Sequence, residues 1–190
     1  MLNNSPRVAL VCDWLVGIGG AERVILELHL LFPEAPIFTS QYDPKTINWF
    51  ENADVRTGWL QKLPKSWKKF LGPLRAWWFS RLDLSGYDLV ISCSGAEAKF
   101  VHPNGKWKME NGKANINNSI HISYIHAPTH YYWSRYEDYL KEPGLGIFNW
   151  LGRFGLKVLV GPMRRRDYQA AQRPDYLLAN SSHTAQAIRK

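Results

Sequence analysis

Apolar and polar positions alternate along this chain in two rhythms, and they divide it into repeating strand–helix units. Val8 to Cys12 is a short continuous apolar run that ends at Asp13. A glycine-rich bend follows at Gly17-Ile18-Gly19-Gly20. Beyond it Val24, Ile25, Leu28, Leu31 and Phe32 recur at helical spacing between Glu22, Arg23 and Glu27. Pro33 and Pro36 close that helix. Ile37 to Ser40 reads as a second buried strand, Gln41 to Asn52 as a loop with a short helix, and Asp54 to Thr57 as a short edge strand.

The pattern resumes with Lys62 to Leu82, apolar and basic by turns, where Gly72-Pro73 is expected to separate two short helices. Tyr87 to Ser92 reads as a strand leading to Cys93-Ser94-Gly95. Lys99 to Ser119 is polar, with hairpin-type turns at Pro103-Asn104-Gly105 and Asn111-Gly112. Ile120 to Ile125 is the next strand and runs into His126-Ala127-Pro128-Thr129-His130. A short helix is expected near Tyr136 to Leu140. A long one, interrupted at Gly161-Pro162, is expected from Ile147 to Gln172. Pro174 to Ala179 is a last strand, and Asn180-Ser181-Ser182 is an N-cap cluster for a helix from about Thr184. Strands alternating with helices imply an α/β fold: a Rossmann-like parallel sheet with helices on both faces. Ligand chemistry gathers at the C-terminal strand ends of such a sheet.

Composition narrows this frame. At 190 residues, with 45% hydrophobic and 21% charged positions, the chain suits one globular α/β domain over residues 1–190. Cys12 and Cys93 end apolar runs and read as buried hydrophobes of a reducing compartment, although neighbouring strands would allow them to meet. The N-terminal residues show no signal-peptide pattern and no run is long enough to span a bilayer. A cytoplasmic protein is expected, free or peripheral on the inner face of the membrane.

A net charge of +8 and nine tryptophans ask for a location. Lys62 to Leu82 concentrates both: Lys62, Lys65, Lys68, Lys69, Arg75 and Arg81 with Trp67, Phe70, Trp77, Trp78 and Phe79, and no acidic residue. Lys65, Trp67, Lys68, Lys69, Trp77 and Trp78 are the candidates to face an anionic membrane. Arg153 to Arg166 is a second basic, aromatic stretch. The competing reading is a partly buried helix with a solvated basic edge. No nucleic-acid recognition module is visible.

Several chemistries fall away on spacing. Counted from Gly17, the third glycine of a dinucleotide fingerprint would fall on Glu22, and no Gly-Lys-Ser/Thr marks a P-loop. The bend therefore reads either as an anion cradle at a helix N-terminus or simply as a tight turn. Glu22 would repel a close phosphate unless turned away. Ser92-Cys93-Ser94-Gly95 is not a nucleophile elbow. Pro128 lies between His126 and His130, and no acidic or cysteine ligand is nearby, so no metal is expected. His126, directly after a strand, is the better candidate to bond a substrate hydroxyl or to move a proton. Asp13 could serve a site or cap a loop.

Taken in order, GGAERV, FPEAPIFTSQYDP, SGYDLVISCSGAEAK, ISYIHAPTHYYWSRYEDYL and PDYLLANSSHTAQAIRK resemble the N-terminal domain of family 4 glycosyltransferases. These are retaining enzymes with two facing Rossmann-like domains, the GT-B fold. The resemblance is to mannosyltransferase-like enzymes of bacterial surface polysaccharide synthesis. It implies transfer from a nucleotide sugar, used as substrate without a metal or other cofactor, to a lipid-linked or polysaccharide acceptor. Gly17, Gly19 and Gly20 would line the donor–acceptor cleft, and His126 would touch the donor sugar as the catalytic-site histidine. Asn180 and Ser181 would lie near the inter-domain crossover. The family's nucleotide-binding half, with its E-x7-E motif, has no counterpart here, so these residues are expected to supply the acceptor-side half alone. The other half is expected to join it in cis or in trans. The alternatives are a membrane-docking, acceptor-binding subunit without catalysis and a nucleotide-binding protein on the same scaffold.

Overall fold

A computed structural model describes residues 5–65, 71–103, 108–110, 113–115, 119–144 and 146–189. Its centre is a six-stranded parallel sheet made of β1 (Val8–Cys12), β2 (Ile37–Thr39), β3 (Val55–Arg56), β4 (Leu89–Ser94), β7 (Ile120–Ile125) and β8 (Tyr176–Ala179). The strand order is β3-β2-β1-β4-β7-β8, parallel at every pairing. β5 (Lys108–Glu110) and β6 (Lys113–Asn115) form a separate antiparallel pair within the polar excursion; the turn expected at Asn111-Gly112 lies outside the described residues. The expected α/β fold with a parallel, Rossmann-like sheet is therefore present.

β1 is a continuous apolar run because parallel central strands are buried on both faces. Its side chains alternate between two cores. Ala9 and Val11 face a core with Phe38, Val90, Trp78, Phe79 and Met163. Val8, Leu10 and Cys12 face the other, with Ile25, Ile37, Phe50 and Ile91. The helix α1 (Gly20–Leu31) supplies Ile25 to the second core. Two helices, α2 (Gly72–Phe79) and α4 (Asn149–Ala171), supply the first. α3 (Tyr136–Lys141) packs on α4, and α5 (Ser182–Arg189) follows β8.

Local punctuation explains where these elements differ from the sequence reading. Gly72-Pro73 opens α2, because proline is well suited to a first helical turn; the helix expected before it falls on residues outside the described ones. α4 continues through Pro162 as one helix of 23 residues. β4 lies two residues later than the apolar run suggested, at Leu89–Ser94, in register with β7 from Leu89↔Ile120 to Ser94↔Ile125. Among the described residues no helix is long and apolar enough to cross a membrane.

The basic, aromatic segment divides sharply. Trp77 is half-exposed, whereas Trp78 is buried at 8% exposure and cannot face a membrane. Trp78 lies so close to the backbone that a Cβ at Gly58 would sit 2.3 Å from its Nε1, so glycine is required there. Arg75, one of the six cations of this segment, is 1% exposed. Lys65 is engaged by Asp43 at 2.8 Å. Trp67, Lys68 and Lys69 lie outside the described residues.

Candidate functional site

After β1 the chain builds β2 and β3 on one side, then returns to lay β4 on the other. Crevices open at such reversals, beyond the carboxyl ends of the two central strands. Here those ends carry Asp13 to Gly20 and Ser94 to Ala98, with His126 beside them at the end of β7.

Asp13 ties the crevice together. Its carboxylate is buried and accepts three backbone N–H bonds: from Gly95 at 2.8 Å, Ala96 at 3.0 Å and Ala98 at 2.6 Å. Its carbonyl accepts the Ser40 hydroxyl. The amides of the β4 turn are thus occupied by an internal anion. A ring of inward N–H groups could otherwise hold a phosphate. Of the two readings of Asp13, the loop-capping one is realised.

The glycine bend is fronted in the same way. Gly19 is the N-cap of α1 with extended backbone (φ −154°, ψ −170°) and receives the Arg23 N–H on its carbonyl at 3.3 Å. The Glu22 carboxylate folds back over this end, since a Cβ at Gly19 would lie 2.8 Å from Oε2. A carboxylate in the first turn suits the helix dipole, and it stands where an external anion would have to approach. Gly17 and Gly20 have open space where a side chain would be.

His126 is held by its backbone from two sides. Its N–H donates to the Ser94 carbonyl at 2.9 Å, and its carbonyl accepts the Thr184 hydroxyl at 3.2 Å. Its ring packs on Tyr124, with centroids 5.1 Å apart. Burial lowers the imidazole pKa from its ordinary value, against a smaller upward pull from Asp13. The ring is therefore neutral near pH 7. Its Nε2 is buried without a hydrogen-bond partner among the described residues, and so is Oγ of Ser94 on the adjoining strand. The two atoms face opposite sides of the sheet: Ser94 alternates with Val90 towards the core of Phe38 and Phe79, whereas His126 stacks on Tyr124, which packs on the core of Ile25 and Ile37.

The other expected residues separate. Ser181 accepts the Thr184 N–H at 3.1 Å through its hydroxyl and so caps α5. Asn180 donates its N–H to the Ile125 carbonyl at 3.3 Å, extending the β7–β8 ladder. The three histidines do not converge. His121 is inside the sheet against Ser92 Oγ at 2.9 Å, and His130 bonds Ser134 on the surface. No group of three metal-ligating side chains meets among the described residues.

Sequence reasoning missed the charges beneath the crevice. Arg75 pairs with Glu97 at 2.8 Å, and Tyr131 donates its hydroxyl to the same carboxylate. The guanidinium also lies over the Trp14 ring at 4.7 Å. Burial pushes the Glu97 carboxyl up, against the opposing pull of Arg75. Two residues on, Lys99 pairs with Asp167 at 2.8 Å. Thr129 and Trp133 both donate to that carboxylate, at 2.8 and 2.9 Å. The available signal was local: Glu97 and Lys99 sit between Ala96, Ala98 and Phe100, all buried. These pairs fasten the turn after β4 to α2 on one side and α4 on the other. Compared with protein-family models, with curated proteins and with solved structures, the chain matches none of them.

Proposed function

We propose that this chain is the acceptor-side half of a two-domain, retaining glycosyltransferase, in which a nucleotide sugar is held mainly by a facing domain. The observation that carries this reading is His126 at the end of β7, its buried Nε2 unpaired among the described residues, near an amide ring already filled by Asp13. Such a crevice favours neutral hydroxyls. A sugar hydroxyl can donate to the neutral imidazole of His126. A phosphate would meet the Asp13 and Glu22 carboxylates instead. The motif order from GGAERV to PDYLLANSS supports the family assignment. The diphosphate, metal-free in this reading, would find its counter-charges on the other half.

In a retaining transfer without a covalent nucleophile, the protein positions two substrates and steadies the leaving diphosphate. His126 then orients a sugar and is not a strong base, consistent with its lowered pKa. With a nucleotide-binding half supplied, in cis or in trans, His126→Ala should lower turnover by about a hundred-fold, as misplaced substrates do, with an unchanged circular dichroism spectrum. Unchanged turnover would remove His126 from the site. An acceptor-binding subunit without catalysis draws on the same atoms. It would show glycan-dependent shifts of the His126 ring resonances and no transfer with any nucleotide-binding half.

A further inference from the structure

α4 carries two apolar faces, and the fold covers only one. Its buried residues, Met163, Asp167 and Ala170, recur at i, i+4 and i+7 and lie in its last nine positions. None of its residues from Asn149 to Pro162 is buried. Along that stretch, and in the turn before it, Ile147, Leu151, Phe154 and Val158 recur at i, i+4, i+7 and i+11, with Trp150 beside them. At 3.6 residues per turn this stripe falls roughly opposite the buried one. Ile147, Trp150 and Phe154 are 86%, 65% and 64% exposed. A continuous bare stripe of this kind marks a surface that meets something.

Charge says what. Between Glu142 and Asp167 the sequence has no acidic residue and five cations: Arg153, Lys157, Arg164, Arg165 and Arg166. Lys157 borders the stripe on one side, and Arg165 continues its line by helical position; Arg153 is tied to the Leu140 and Lys141 carbonyls. Lys157, Arg165 and Arg166 are exposed. A second copy of the chain would bring the same cations against themselves, so self-association through this face is opposed. An anionic lipid surface complements both features, with tryptophan at headgroup depth, apolar side chains beneath it and cations among the phosphates.

We propose that α4 up to Pro162 lies in the surface of an anionic bilayer, Trp150, Leu151, Phe154 and Val158 downward. This places docking on α4, whereas the sequence put it on Lys62 to Leu82. It does not rest on the sugar-transfer reading.

The chain should sediment with vesicles of mixed phosphatidylcholine and phosphatidylglycerol and hardly at all with phosphatidylcholine alone. Phe154→Ser with Val158→Ser, and separately Arg165→Gln with Arg166→Gln, should each weaken partitioning at least about ten-fold. All four residues are exposed, so the thermal melt should stay where it was, which separates lost docking from lost folding. Trp150→Phe should remove most of the blue shift in emission on vesicle binding. Vesicle binding that both double variants leave intact would overturn the proposal, as would binding indifferent to anionic lipid, or none. A dimer in solution that Phe154→Ser dissolves would also overturn it and make the occupant a second copy.

Discussion

Asp13 shows how much one carboxylate can organise. It lies 82 residues from Gly95, yet its oxygens gather the N–H groups of the turn that follows β4. Hydrogen bonds to a charged acceptor stabilise by about 1.5–3 kcal/mol each, and orphaned buried donors cost about 1–3 kcal/mol. Asp13→Ala should therefore lower unfolding free energy by about 3 kcal/mol or more. Asp13→Asn should fall between, because its amide N–H₂ would confront an N–H. Urea denaturation of the three chains gives the order, and an Asp13→Ala chain as stable as the original would refute the anchoring role. The same residue shapes the crevice chemically, by using amides that an outside anion would otherwise need.

Among the elements, the β4–β7 pair carries a polar ladder inside the sheet. Ser92 Oγ meets His121 Nε2 at 2.9 Å and donates to Ser123 Oγ at 3.0 Å, while the His121 backbone N–H is received by Asp175. Burial drives the His121 pKa down from 6.5 to about 4; Asp175 pulls the other way and His102 adds to the fall. The sign follows from proton binding: below pH 6.5 the unfolded chain takes up a proton that the folded chain refuses. Stability from this group is complete above pH 6.5 and is lost as pH falls towards 4, by about 3 kcal/mol in all. The urea midpoint should drop across that window, and His121→Gln should flatten the drop. An equal slope in the variant would assign the acid sensitivity elsewhere. α2 gives the complementary lesson about neighbours. Trp77 and Trp78 are adjacent in sequence, and the helix turns one outward and the other into the core.

Across the whole molecule, two buried ion pairs lock the layers on one face of the sheet. Arg75–Glu97 joins α2 to the turn after β4, and Lys99–Asp167 joins that turn to α4. Gly72 allows the first junction, since a Cβ there would lie 2.9 Å from the Tyr132 hydroxyl and 3.0 Å from Glu97 Oε1. Breaking a buried pair strands its partner, so Arg75→Met alone should cost about 3–5 kcal/mol. Arg75→Met with Glu97→Leu should recover a large part of that loss. A double variant no more stable than the single one would mean that the helix–turn junction needs the charges themselves. The arrangement holds the turn after β4 firmly between the two helices.

The order of strands and helices, and with it the parallel α/β fold, is written in local pattern. β1 and β7 stand where their apolar runs stand, and Ser181 caps the last helix as an N-cap serine should. Glycine bend, histidine and strand ends could be singled out because topology brings strand ends together whatever the details. What the tertiary structure alone decided is the partner of each polar group. Asp13 as an internal anion, Arg75 and Glu97 as a buried pair, Trp78 as core and the uncovered face of α4 depend on residues far away in sequence, and periodicity carries no record of which distant surface a side chain meets. A run of apolar and basic residues reads the same whether its face is covered or bare. Only packing distinguishes them.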